Sequence, residues 1–197
     1  YFTANPIQLT ITGNTFSNWS YGDGGSTAID MSDMTGTANC SGNTITNINS
    51  QGDFEGVSIS AWGSSGTFTV ANNNIANVVS SGAGGFIYGI SGYISTVVNT
   101  TQTNINNNLI HSFSSTSPIA VVTGIYLDNG HSSSTVTVSS NKIYDLSASS
   151  TGCRVYGIIN YPTLRGNYTY TNNYIGDLRA PNSTVADQAV TGIKLFL

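Results

Sequence analysis

Asp145 and Asp177 each stand four residues after an asparagine, Asn141 and Asn173. Carboxylates paired in this way are the machinery of glycoside hydrolysis, one acting as acid and the other as base or nucleophile. Lys142 and Arg179 lie close enough along the chain to neutralise them. Asn18, Asn47, Asn77 and Ser112 fill the same offset elsewhere, so a position that favours short polar groups accounts for the pair without catalysis. A second acidic group, Asp30, Asp33, Asp53 and Glu55, offers oxygen ligands of the type that hold Ca²⁺. Its plainer reading is a set of solvated loop acids. His111 follows an apolar position and is expected to face outward, while His131 sits in a Ser-rich loop. Sequence spacing places neither histidine in a Ser–His–Asp or metal-ligand arrangement.

The elements that must position these groups come from a repeat. One motif reads Asn, any residue, apolar, two residues, apolar, and starts at Asn14, Asn43, Asn73, Asn108, Asn141 and Asn173. The intervals are 29, 30, 35, 33 and 32 residues. A second motif puts Gly or Ala before an aliphatic residue at Ile29, Val57, Ile90, Ile125, Ile158 and Ile193, at intervals of 28, 33, 35, 33 and 35. Two registers that advance together mark a solenoid.

Alternation identifies the units as strands. Three and five residues before each asparagine stand pairs such as Ile11/Leu9, Val70/Phe68 and Val138/Val136, the period-two pattern of a strand with one buried face. The expected fold is all-β: a right-handed, single-stranded parallel β-helix, or β-solenoid, of about six coils of 28–35 residues. Stacked about 4.8 Å apart, six coils form a rod roughly 29 Å long. An asparagine side chain both donates and accepts, so six of them stacked at a bend can bond to the backbone and to one another. Cys40 and Cys153 fall three coils apart, about 14 Å, which is too far for a disulfide.

The outward positions of the strand before each asparagine are all uncharged. They include Thr10, Thr12, Thr67, Thr69, Thr135, Thr137, Thr169 and Thr171. Such Thr rows resemble the ice-binding faces of some solenoid antifreeze proteins, although Asn, Ser, Ala and Gln interrupt them. The β-propensity of Thr on an exposed sheet explains most of the pattern.

The recurring xVxxNxIxxϕ pattern resembles the parallel β-helix repeat of the pectate-lyase-like superfamily, over nearly the whole chain. That resemblance implies the architecture. Its members include polysaccharide lyases and hydrolases, phage tailspikes and adhesive surface proteins. Low charge and abundant Asn, Ser and Thr are closest in character to the repetitive adhesins. A pectate-type lyase would need a Ca²⁺ cluster beside an arginine, whereas here the acids gather at one end and every arginine at the other.

Composition narrows the function classes. Only 7% of the 197 residues are charged and 39% are hydrophobic, which excludes disorder and implies a large core. Residues 1–141 hold six acids and no base; residues 142–197 hold three acids and all five Lys and Arg. So few cations exclude phosphate-backbone binding, hence no nucleic acid, and no apolar run is long enough for membrane insertion as a helix. The neutral surface suits a secreted or cell-surface protein. Residues 1–197 are expected to form one β-helix domain, an excerpt of a longer repeat protein. The expected role is a non-enzymatic structural or adhesive module whose partners are glycans, surfaces or neighbouring copies. The acidic first end and basic last end suit head-to-tail stacking into filaments. A carbohydrate-active enzyme built on Asp145 and Asp177 and an ice-binding protein are the alternatives.

Overall fold

The computed structural model describes residues 7–32, 36–62, 66–82, 85–95, 101–129, 134–162 and 166–196. Asp33 and His131 lie outside the described residues. The described residues form eighteen strands and no helix, arranged as three six-stranded parallel sheets. The first sheet contains β1 (Ile7–Thr12), β4 (Gly36–Ser41), β7 (Gly66–Ala71), β10 (Thr101–Asn106), β13 (Thr135–Ser139) and β16 (Asn167–Thr171). The second contains β2 (Thr15–Tyr21), β5 (Thr44–Ser50), β8 (Asn74–Ser80), β11 (Leu109–Ser115), β14 (Lys142–Ala148) and β17 (Tyr174–Arg179). The third contains β3 (Ser26–Ser32), β6 (Phe54–Trp62), β9 (Phe86–Ser95), β12 (Val121–Asn129), β15 (Arg154–Pro162) and β18 (Val190–Leu195). Every strand pairs with the strands three earlier and three later, except that those of the first and last rungs have one partner each, so the chain is a parallel β-solenoid of six rungs and about five turns.

Inward positions stack into continuous apolar rows. Phe16, Ile45, Ile75, Ile110, Ile143 and Ile175 form one row on the second sheet, each the Cα partner of the next. Ile29, Val57, Ile90, Ile125, Ile158 and Ile193 form another on the third. The four central isoleucines of the first row are fully buried, and each such burial contributes about 2–3 kcal/mol.

Two backbone features break the alternation and shape the coil. The residue before each ladder asparagine (Gly13, Gly42, Asn72, Asn107, Ser140, Asn172) has φ between 54° and 68°, a left-handed bend that turns the first sheet into the second. Four residues after each ladder asparagine, Asn18, Asn47, Asn77, Ser112, Asp145 and Asp177 are also left-handed, with φ between 50° and 63°. The cross-strand register skips these residues. Both flanking apolar residues, three apart, therefore point into the core.

The third sheet has its own interruption at Gly56, Gly89, Gly124 and Gly157. A Cβ on Gly89 would stand 2.6 Å from the Gly124 carbonyl oxygen and 2.8 Å from Ile110 Cγ2, and the other three are as tightly enclosed. The glycine before each aliphatic residue is thus the space into which the isoleucine of the next coil's second sheet packs.

Candidate functional site

The asparagine ladder is continuous. The Asn43 Oδ1 accepts from the backbone N–H and the Nδ2 of Asn14, both at 3.0 Å. Its own Nδ2 donates to the Ile11 carbonyl and to Asn73 Oδ1, both at 3.0 Å. Asn73, Asn108, Asn141 and Asn173 continue the chain of bonds at 2.8–3.0 Å. The four central asparagines are only 1% exposed, so this row is structural and unavailable to a ligand.

Asp145 and Asp177 do come together, through Arg179. The guanidinium Nη1 donates to both oxygens of Asp177 at 3.0 Å, and Nη2 donates to Asp145 Oδ1. The second oxygen of Asp145 accepts from Ser112 Oγ at 2.8 Å. His111 Nδ1 lies 3.0 Å from the same hydroxyl, and its ring stacks on Tyr144 at 4.9 Å. His111, Ser112 and Asp145 are therefore in contact, a proximity that spacing alone did not anticipate. The order is wrong for a catalytic triad, because the serine bridges histidine and aspartate instead of the histidine bridging the other two. Ser112, Asp145 and Asp177 occupy the left-handed bend, where Asn, Asp and Ser are the tolerated non-glycine residues. Backbone geometry explains their types. Both Asp145 oxygens are engaged, one by Arg179 and the other by Ser112.

The acidic group of the first coils has separate tasks. Asp53 Oδ1 accepts from the backbone N–H groups of Gly85 and Phe86 at 3.2 and 2.9 Å. Asp30 accepts from Ser32 Oγ. Glu55 Oε2 accepts from Ser91 Oγ at 2.6 Å. Among the described residues no three His, Cys, Asp or Glu side chains converge as metal ligands.

Both cysteines are free and buried. Burial raises the Cys40 thiol to about 11, only partly offset by a bond from Asn43, and Cys153 points its thiol at the Ala148 carbonyl at 3.3 Å.

On the first sheet, Thr10, Thr69, Thr137 and Thr169 share one outward row with Asn39 and Asn104. Thr67 and Thr135 lie in the row before it, with Gln8, Thr37, Gln102 and Asn167. Thr12 and Thr171 lie in the row after it, with Ser41, Ala71, Asn106 and Ser139.

Sequence reasoning found the inward row of the third sheet but missed what its outward positions carry. Its outer face carries an aromatic band across coils three to six. Tyr88 and Tyr126 stack at 4.6 Å with their planes 10° apart. Tyr93 and Tyr161 flank Tyr126 at 5.5 and 5.9 Å, and Tyr161 stacks on Phe196 at 4.1 Å. A cleft of about 430 Å³ runs along this band, with Arg154, Asp187 and Lys194 on its polar side. The Lys194 ammonium sits 4.8 Å from the Phe196 ring centre and 5.6 Å from that of Tyr156, and bonds Asp187 at 3.4 Å. Burial, reinforced by Asp128, pushes Tyr126 up to about 12, so these phenols are neutral donors. The signal was present in YGIS, GIYL and YGIIN. It was obscured because the glycine interruption shifts the alternation that tells outward from inward.

The fold and this face define a parallel β-solenoid with an aromatic surface cleft. Comparison with family models, with curated proteins and with solved structures finds no match to the chain. The resemblance to the pectate-lyase-like repeat therefore rests on the repeat pattern alone.

Proposed function

We propose that the chain is a non-enzymatic binding module of a secreted or surface protein, and that it holds a glycan along the aromatic cleft of the third sheet. The single observation that carries this reading is the band of Tyr88, Tyr126, Tyr161 and Phe196 beside Arg154 and Lys194 in one cleft. Ring faces offer flat apolar contact to the C–H faces of sugars, and a few charged or hydroxyl groups at the edge bond the sugar hydroxyls. Successive rungs are about 4.8 Å apart, so the band from coil three to coil six extends about 14 Å, room for a short run of sugar rings. Affinity electrophoresis against neutral, acidic and amino polysaccharides tests it. At least one should retard the protein, and Y126A/Y161A should abolish the retardation while T69A/T137A leaves it intact. Migration unchanged by every polysaccharide would sink the reading.

A second reading attaches to the first sheet, where eighteen uncharged outward positions stand in register. Such a face suits contact with a regular solid such as ice. Thermal hysteresis lost in T69A/T137A is its expected signature, and growth of unshaped ice crystals at saturating protein would dismiss it.

A further inference from the structure

Lysines sit between aromatic rings twice in the described residues, once on the second sheet and once on the third. Lys142 is 4.9 Å from the Tyr144 ring centre and 5.8 Å from that of Tyr174, and Lys194 lies over Tyr156 and Phe196. The group formed by Tyr88, Tyr93 and Tyr126 has no such cation among the described residues, and carboxylates stand beside it instead. Glu55 is the Cα partner of Tyr88, and Asp128 is the Cα partner of Tyr93. Ser91 lies fully buried at the foot of these rings and fastens Glu55 Oε2 there at 2.6 Å. Asp128 makes no hydrogen bond or ion pair with a described residue, and burial raises its carboxyl above the ordinary range. The basic side chains of the cleft, Arg154 and Lys194, belong to coils five and six. Tyr88 is buried beneath its stack with Tyr126, and the partly exposed rings of Tyr93 and Tyr126 therefore stand beside uncompensated negative charge, the combination that attracts organic cations.

We infer that the glycan carries free, protonated amino groups, one of which is held against Tyr93 and Tyr126 beside the carboxylates of Glu55 and Asp128. This rests on the glycan reading above and specifies it: an amino-sugar polymer whose nitrogen is unacetylated. An ammonium donates three hydrogen bonds, which suits a site with carboxylates close to the rings. An acetamide at the same place is uncharged and bulkier, so it gains neither the ion pairs nor the cation–π attraction.

The test is calorimetric titration of the full chain with soluble β-linked glucosamine oligomers and with the same oligomers fully N-acetylated. The free-amine oligomer should bind about tenfold or more tightly, and that margin should shrink as salt is raised. E55Q/D128N, nearly isosteric on an outer face, should bring both oligomers to equal affinity while Y126A weakens both. Equal affinity of the two oligomers for the wild-type protein, insensitive to E55Q/D128N, would overturn the amine assignment and leave the glycan reading standing. Binding of neither oligomer would overturn the amine assignment, and polysaccharide retardation, measured separately, then decides the glycan reading. Self-association of the unliganded chain that E55Q/D128N abolishes would assign the site to a lysine of a second copy, and so overturn it as well.

Discussion

Two ladders of short polar residues climb this solenoid four residues apart. The inner one is Asn at all six rungs, and the outer one runs Asn18, Asn47, Asn77, Ser112, Asp145, Asp177. The four central inner side chains are buried, and each accepts two bonds at its oxygen and donates two from its nitrogen, more donors than a hydroxyl has. The outer residues share only a left-handed backbone conformation. Their amides, where present, touch across rungs at 3.3 Å on an exposed edge, and a hydroxyl or a carboxylate serves as well. Identity is dictated where burial and hydrogen bonding act together, and only a class of residue is dictated where φ acts alone.

The strongest way to break this contrast is Asn73→Ala. It removes the acceptor of the buried Asn43 N–H and Nδ2 and the donor to the Cys40 carbonyl. Stranding these groups should cost about 4 kcal/mol or more, read by urea denaturation, and Asn73→Gly should be no milder. On the outer ladder the order inverts. Asn77→Ala should cost about 1 kcal/mol from the left-handed backbone, whereas Asn77→Gly should fall within a few tenths of wild type. Equal losses for Ala and Gly at position 77 would show that its side chain matters after all.

Smaller again is Arg179→Ala. Its ion pairs to Asp145 and Asp177 are about half exposed, so the loss should stay below about 1 kcal/mol and vanish at high salt. A larger, salt-independent loss would make the carboxylate pair a structural element of the outer ladder. The faintest effect is acid sensitivity at His111. Burial lowers its pKa below the usual 6.5, outweighing the pull of Asp145. The unfolded chain therefore takes up the proton first, and stability should decline slightly as pH falls below about 6.5. His111→Gln should flatten that slope in melting curves taken across the range.

Much of this architecture was legible from spacing. The two motifs place Asn14 to Asn173 and Ile29 to Ile193 on the rungs where they are found, because strand alternation and a fixed period are local properties of a solenoid. The chemistry was less legible. Asp145 and Asp177 were legible as a polar offset shared with Asn18, Asn47, Asn77 and Ser112, but not their common partner Arg179 or the left-handed φ that the offset requires. The tyrosines went unnoticed because the glycine interruption between Tyr88 and Ile90 reverses which parity faces solvent.

By itself the sequence determined that this chain coils, where each coil turns, and that asparagine lines one bend, since each follows from period, propensity and the bonding capacity of a side chain. Only the tertiary structure decided which surface could bind. Residues 30 or more positions apart become neighbours at a rung spacing of about 4.8 Å, and the stacking of Tyr88 on Tyr126 or the setting of Glu55 against Ser91 exists only once successive coils lie in register.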